Sequence, residues 1–211
     1  GLLFIYIDGY LHLGEHFALT FLAASIAGIL ATPLWCHLAI RLGKKVVWAA
    51  VIALVIGGFI YTGTMKPGTT DVINLVVLQV AVAGGFSCIS IIAPAMVSEI
   101  ADYGTWQSGV ERPASYFSLF TFTHKTTSAI SSALGLFIAG WYGFDAVTGI
   151  QSDRGVFGII LAISWIPIFV SVLSLFFIFM TPISDRRHAV IRKRLDDKAR
   201  RSVMVENLSA A

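Results

Sequence analysis

The stretch HFALTFLAASIAGILATPLWCHLAI, residues 16–40, contains no Asp, Glu, Lys or Arg and is bounded by Glu15 and Arg41. It exceeds the ~20 mainly apolar residues that a helix needs to cross a bilayer. Lipid offers no partners to unpaired backbone groups, so a segment that spans it is expected to be helical. This one stretch therefore indicates an all-α membrane protein.

Four further stretches repeat the pattern. Only 13% of the 211 residues are charged, whereas soluble domains carry about a quarter. Buried helices of a soluble protein would leave too little polar sequence to cover them. We predict a polytopic transmembrane helical bundle over residues 1–184, followed by a basic cytoplasmic tail over residues 185–211. The predicted elements are a helix stub at 1–7 and spans at about 17–40, 46–65, 72–98, 115–140 and 156–183.

The basic residues fall mainly on one set of connections. This set comprises Arg41, Lys44, Lys45, Arg112 and the tail with Arg186, Arg187, Arg192, Lys193, Arg194, Lys198, Arg200 and Arg201. The alternate set holds only Lys66 and Arg154 as basic residues. Lys and Arg accumulate on the cytoplasmic side of membrane proteins, so the first set is predicted to be cytoplasmic. Residues 1–7 then form the outer end of a preceding helix, and the chain is interpreted as a six-helix unit whose first helix is truncated.

Lys125 is the one charged residue in the span at 115–140. A lysine near the bilayer centre costs about 2.5–3.5 kcal/mol on insertion scales and normally faces a bundle interior or water. Polar residues recur around it at spacings of three and four, which places them on one helix face. They are Ser115, Ser118, Thr121, Lys125, Ser128 and Ser132. We expect this polar stripe to face a cavity; the alternative is snorkelling of Lys125 to the cytoplasmic surface.

Two acidic residues precede this helix. Glu99 and Asp102 are three residues apart at the inner end of the preceding span, and they are neighbours if the helix continues that far. They could pair with the basic loop at 41–45 and hold an inner gate closed. The alternative is a solvated loop with ordinary charges.

The segment SEIADYGTWQSGVERPASYFSLFTFTHKTTSA, residues 98–129, resembles a signature of the glycoside-pentoside-hexuronide:cation symporters of the major facilitator superfamily. In that family the segment joins helices 10 and 11. The positions that carry the resemblance are Glu99, Asp102, Tyr103, Gly104, Trp106, Gly109, Arg112 and Lys125. The basic loop with Arg41, Lys44 and Lys45 also resembles the loop between helices 8 and 9. The resemblance covers nearly the whole chain, as the C-terminal half of such a transporter.

The resemblance implies symport of a sugar or glycoside, coupled to Na⁺ or H⁺, by alternating access between two halves. It implies that Lys125, with Thr121, Ser128 and Ser118, contributes to the substrate site. It places Glu99, Asp102, Tyr103, Arg112, Arg41, Lys44 and Lys45 at the cytoplasmic gate. No cofactor other than the coupling cation is expected. The expected partners are the lipid bilayer, a sugar and a missing N-terminal half, without nucleic acid, in a bacterial inner membrane.

Other functions stay open at this point. A major facilitator carrier of a lipid-like or other organic solute needs the same helices. A membrane scaffold fragment, with its tail on anionic lipid, would not need a lysine at mid-membrane. An intramembrane enzyme would have to use His37 or His124 as a base, and no nucleophile motif accompanies either, so we expect no enzyme. Cys36 and Cys88 are expected to be buried free thiols, and no metal-binding spacing is present.

Overall fold

The computed structural model describes residues 2–145 and 152–180. Within these ranges every regular element is helical, which confirms the all-α bundle. The helices are α1 (Leu2–Gly9), α2 (Phe17–Leu42), α3 (Lys44–Thr64), α4 (Val72–Ser108), α5 (Pro113–Trp141), α6 (Asp153–Ile160) and α7 (Ile166–Met180). A 3₁₀ turn, Gly14–His16, leads into α2, and a π-helical segment, Leu161–Trp165, joins α6 to α7.

Four helices of the described residues are long and apolar enough to cross a membrane. They are Gly14–Leu42, Lys44–Thr64, Val72–Ser108 and Asp153–Met180. The predicted span at 115–140 is also helical, as the 29-residue α5. Its hydroxyl side chains and Lys125 lower its hydropathy, so it is not among the four. The last three residues of the predicted span 156–183, and the tail at 185–211, lie outside the described residues.

The chain divides into two compact units. The first comprises Gly1–Ile92 and His124–Met180, and the described part of the second is Ala93–Thr123. Both α4 and α5 contribute to each unit. We describe the two units separately.

The core of the first unit lies where several helix ends meet: the C-terminal ends of α1, α3 and α5, the N-terminal end of α4, and the junction of α6 with the π-helical segment. Tyr6, Ile7, Leu75 and Ile159 are completely buried there. The Tyr6 hydroxyl donates a hydrogen bond to the carbonyl oxygen of Thr62 at 2.7 Å and so connects α1 to α3. The charge distribution predicts that this end of the bundle faces outward.

Helices α2, α3 and α4 are held together by a tight turn and a long-range hydrogen bond. Gly43 alone separates α2 from α3, with φ of 87°, a backbone conformation that costs glycine little. The Trp35 indole N–H donates to the carbonyl oxygen of Gly84 at 2.7 Å, which connects α2 to α4. The basic loop predicted at 41–45 is therefore a one-residue turn, and Lys44 already belongs to α3.

Pro167 lies two residues after the π-helical segment. A proline lacks the backbone N–H, and its ring collides with the carbonyl of the residue four positions earlier in a regular helix. Insertion of one extra residue in a π turn is a common response to such a conflict. Within this segment the Ser164 hydroxyl, which is buried, donates to the carbonyl oxygen of Phe59 on α3 at 2.6 Å.

The second unit is a helical hairpin in its described part, from the end of α4 to the start of α5. Helix α4 continues well past the predicted span 72–98, because hydropathy marks where lipid contact ends and a helix can extend beyond that point. Gly109, with φ of 73°, ends α4, and its N–H donates to the carbonyl oxygen of Thr105 at 2.9 Å. Tyr116 of α5 lies against Gly104 of α4, where a side chain would collide with the tyrosine hydroxyl.

Candidate functional site

Helix α5 carries all four residues that the sequence predicts for the substrate site. Ser118, Thr121, Lys125 and Ser128 are all exposed. A helix rotates by about 100° per residue, so these four side chains lie within roughly 60° of Lys125 around the axis. Lys125 is about 18 Å along α5 from Pro113 and about 24 Å from Trp141, at 1.5 Å per residue. The polar stripe is therefore a continuous, accessible helix face with Lys125 in its middle part.

The C-terminal end of α5 is attached to the bundle by small residues. Gly135 and Ala139 are buried, and Gly135 lies against Leu2 of α1. Small side chains allow helices to approach closely. Ser131, which precedes them at the same four-residue spacing, is exposed. Within the first unit, α5 is therefore buried only near its C-terminal end, and the segment around Lys125 is exposed.

The ammonium group of Lys125 is a donor of up to three hydrogen bonds and carries a full positive charge. Within the part of the chain that the structure describes, Lys125 makes no ion pair. A carboxylate or hydroxyl group that reached this face could therefore bind it directly. The Ser118 hydroxyl already donates to the carbonyl oxygen of Ser115 at 3.1 Å, so toward a solute it would act as an acceptor.

The predicted gate residues fall in both units. Glu99 is 6% exposed and Asp102 is half-buried, and both lie on the part of α4 that belongs to the second unit. Tyr103 packs against Trp106 at 5.9 Å between ring centroids. The remaining gate residues lie in or next to helix connections: Arg41, Lys44 and Lys45 at the α2–α3 turn, and Arg112 just before α5. The pairing between the acidic and basic groups stays a prediction.

The first unit contains a cavity that the sequence did not predict. It has a volume of about 700 Å³ and lies between α2, α3 and α4, with side chains of α1 and the π-helical segment closing it. Gln79 is one of its lining residues and is 5% exposed, and its amide donates to the hydroxyl of Thr20, which is 1% exposed, at 2.9 Å. A glutamine inside the apolar run 72–98 was the available signal. Its partner Thr20 is on another helix, so spacing along the sequence could not reveal the pair.

Neither cysteine forms a disulfide: Cys36 is half-buried and Cys88 is buried. Over residues 2–145 and 152–180, no group of three or more His, Cys, Asp or Glu side chains is close enough to hold a metal ion. Of the two histidines considered as bases, His37 is exposed on α2 and His124 is exposed on α5.

Comparison with known proteins adds three findings. A family model described as MFS/sugar transport protein matches residues 1–185. The uncharacterized symporter YjmB of Bacillus subtilis (strain 168) is 32% identical over 133 residues, which cover 60% of this chain and 28% of that protein. The glucuronide carrier protein homolog of Escherichia coli (strain K12) is 26% identical over 183 residues, which cover 86% of this chain and 39% of that protein. The chain thus spans well under half the length of these curated relatives.

Proposed function

Because the chain belongs to the MFS/sugar transport protein family, as its signature at residues 98–129 predicted, we propose that it is the C-terminal half of a cation-coupled sugar or glycoside symporter. The observation that carries the proposal is Lys125, an ammonium group on the exposed face of α5. One similar protein is named a symporter and the other a glucuronide carrier homolog. Both names describe transport proteins.

In this proposal Lys125 binds the solute or a carboxylate next to it. A charged group at mid-membrane is retained where it has a function, since its cost is otherwise uncompensated. Ser118, Thr121 and Ser128 supply hydroxyl groups along the same face and would bind sugar hydroxyls beside the ammonium group. A solute that enters this face then contacts one charge and several neutral polar groups, a combination that suits a glycoside or a uronic acid.

The remainder of the transporter would be a second helical half that covers the exposed face of α5. Alternating access requires two halves that rock about a solute site between them. Glu99 and Asp102 would pair with Arg41, Lys44 or Lys45 on the cytoplasmic side when that side is closed, with Tyr103 and Arg112 beside them. The coupling cation, Na⁺ or H⁺, would bind mainly through carboxylates that this second half supplies.

The proposal is tested by uptake of labelled glycosides and uronates into membrane vesicles, with and without Na⁺ or proton gradients. The vesicles contain the chain alone or joined to the proposed N-terminal half. Gradient-driven uptake is expected only in the joined form. Lys125→Ala should reduce this uptake about 10- to 100-fold, the loss expected for a charged hydrogen bond of 1.5–3 kcal/mol.

Lys66→Ala is the matched control, because Lys66 is an exposed lysine in the α3–α4 connection. It should retain uptake. Full uptake by Lys125→Ala would contradict the role given to Lys125 and leave the transport assignment intact. Absence of uptake for every sugar, in a protein shown to be inserted and folded, would contradict the sugar assignment. Lipid-like solutes would then be tested, and their failure as well would favour a non-transporting scaffold.

A further inference from the structure

The cavity between α2, α3 and α4 has a lining that is uncharged and mainly apolar. Its volume of about 700 Å³ lies within the ~300–1,000 Å³ typical of ligand pockets. Phenylalanine and aliphatic side chains form most of its wall. None of the described residues that line it is an Asp, Glu, Lys, Arg or His. A ligand of this cavity is therefore expected to be largely apolar.

The polar groups in the lining are already bonded within the protein. Each hydroxyl donates to a carbonyl oxygen of its own helix: Ser25 to Phe21 at 2.8 Å, Thr32 to Gly28 at 3.2 Å, Thr62 to Gly58 at 2.9 Å, Ser87 to Gly84 at 2.7 Å and Ser90 to Phe86 at 3.0 Å. A hydroxyl that is bonded back to its own helix has no free donor for a ligand. The amide nitrogen of Gln79 is bonded to Thr20, and its amide oxygen has almost no accessible surface. These groups therefore leave the wall without a strong polar anchor.

The lining extends from the interior of the first unit to its apolar surface. Val82 of α4, which lines the cavity, lies against Gly58 of α3. At the rim, the side chains of Phe21, Ile29 and Phe86 are exposed. The rim of α2 continues into further exposed apolar side chains, those of Leu22, Ile26 and Leu30. Both α2 and α4 are long and apolar enough to cross a membrane, so the molecules that meet this rim in a bilayer are acyl chains.

The length of the cavity along the helices is close to the thickness of one leaflet. Its lining residues run from Phe21 to Thr32 on α2 and from Leu78 to Ile91 on α4. At 1.5 Å per residue, these distances are about 17 Å and about 20 Å. One leaflet supplies half of the hydrocarbon core, which is roughly 15 Å. An acyl chain that runs parallel to the helices therefore matches the cavity in length.

The depth of the cavity in the bundle also corresponds to one leaflet. Thr62 lines the cavity, and its carbonyl oxygen accepts the hydrogen bond of Tyr6 in the core at the end that is predicted to face outward. At the other end of the lining, Thr32 and Ile91 lie a few residues past the middle of α2 and of the predicted span 72–98. The cavity therefore extends from the outward core to about the middle of the membrane.

We propose that this cavity binds one acyl chain of a phospholipid from the outward leaflet. The ester end of the chain lies toward Phe21 and Leu78, and its methyl end lies toward Thr32 and Ile91. The walls of an empty apolar cavity lack contact atoms on one side, and a methylene chain restores those contacts. The lipid is thus a structural component of the first unit. The proposal concerns neither the transported solute nor the polar stripe of α5.

Photolabelling of the full chain in lipid nanodiscs tests this proposal. The probe is a phosphatidylcholine with a diazirine in the middle of one acyl chain, and labelled residues are located by mass spectrometry of peptides. Lipids that surround the protein label exposed residues such as Leu22 and Leu30. A chain inside the cavity should in addition label Val82, because this side chain lies between α4 and α3. Labelling confined to exposed residues would overturn the proposal.

Two further probes test the direction of the bound chain. One carries the diazirine next to the ester group, and the other carries it at the methyl end. The first probe should label Leu78 in preference to Ile91, and the second should show the opposite preference. Equal labelling of both residues by both probes would mean that no chain is held in a fixed direction. That result, or the reverse order, would overturn the assignment to a lipid of the outward leaflet.

Ser25→Phe places an aromatic ring where the acyl chain is proposed to bind. Because close packing leaves no room for both, labelling of Val82 should decrease at least about tenfold, while labelling of Leu22 stays unchanged. Ser87→Phe, a second filling substitution on α4, should have the same effect. Circular dichroism and size-exclusion chromatography check that each variant is folded. Unchanged labelling of Val82 in either folded variant would contradict the proposal.

Ala53→Phe is the matched control. Ala53 is exposed on α3 and does not line the cavity. This substitution should change labelling of Val82 less than about twofold, because it leaves the packing around the cavity intact. An equal loss of labelling in Ala53→Phe and Ser25→Phe would show that the loss does not come from filling the cavity. Photolabelling needs no gradient, so either this proposal or the proposed transport can fail while the other stands.

Discussion

Lys125 and Gln79 are both polar residues in helices of this membrane protein, but their surroundings differ. Lys125 is exposed on α5, and Gln79 is 5% exposed with one unsatisfied amide oxygen. An exposed charge requires a polar environment from outside the chain, whereas a buried oxygen requires a hydrogen-bond donor inside the bundle, which a water molecule can supply. The two residues therefore differ in what satisfies them: a solute or partner half for Lys125 in the proposal above, and a donor within the bundle for Gln79.

At the same scale, Gly158 is expected to tolerate no side chain. A Cβ atom at this position would collide with the side chain of Tyr142, which precedes the α5–α6 connection. Gly158→Ala should lower the free energy of unfolding by about 1–3 kcal/mol, the usual cost of forcing extra atoms into a packed site. The measurement is unfolding of the chain in mixed micelles, followed by circular dichroism.

Gly57→Ala is the control for this prediction. Gly57 lies inside α3, and a Cβ atom there would have no neighbour within 4 Å. Because alanine is the better helix former by up to about 1 kcal/mol, Gly57→Ala should leave stability unchanged or raise it. Equal effects of the two substitutions would show that the contact between Gly158 and Tyr142 does not limit this site.

At the scale of the element, α5 is unusual because nearly its whole circumference is exposed. Only Gly135 and Ala139 are buried in its 29 residues. One face carries the polar stripe, while Leu119, Ile130 and Leu134 lie about 120–180° away from Lys125 around the helix axis. The chain on its own does not distinguish these faces by burial. Their chemistry predicts that the polar stripe faces water or a solute in the assembled protein and that the apolar face contacts lipid or other helices.

Cysteine labelling tests this assignment of faces. In a background with Cys36→Ala and Cys88→Ala, we compare Ser118→Cys with Leu119→Cys, and Ser128→Cys with Ile130→Cys, in intact membranes. Each pair is closely matched in depth along α5. A water-soluble maleimide should react at least about tenfold faster at the two serine positions, because thiolates form and react where water reaches them. Equal rates within each pair would contradict a water-accessible stripe.

At the scale of the whole molecule, the sequence predicted the elements better than their assembly. Uncharged runs located α2, α3 and the start of α6 within a few residues, because lipid contact requires apolar side chains along the full length of a spanning helix. The end of α4 at Ser108 was missed, since helix formation continues beyond the apolar part. The cavity could not be predicted either. It depends on how helices pack whose lining residues, such as Phe21, Phe59 and Gln79, are far apart in sequence.

In contrast to the cavity, the polar stripe of α5 could be predicted from the sequence. Ser118, Thr121, Lys125 and Ser128 share a face because of helix periodicity alone, so the sequence was sufficient to group them. Their exposure depends on which helices pack against α5, and that was not encoded in the local pattern. The predicted gate residues Arg41, at the end of α2, and Arg112, just before α5, were likewise located by charge, and their pairing partners stay a prediction.

The orientation of the molecule in the membrane is the last prediction, and it depends on the charge distribution over all connections. Four basic residues lie at or next to the α2–α3 turn and the connection at 109–112: Arg41, Lys44, Lys45 and Arg112. The α3–α4 connection has a single basic residue, Lys66. Positive charges stay on the cytoplasmic side during insertion. In the cysteine-free background, Thr69→Cys should therefore react with an impermeant maleimide in intact cells, and Val110→Cys only after permeabilisation. Both positions are exposed in connections between helices, so access within the protein is matched. The reverse labelling pattern would mean that the chain has the opposite orientation in the membrane. Glu99 and Asp102 would then lie at an outer gate, and their proposed pairing with the basic turn would close the outer side of the transporter.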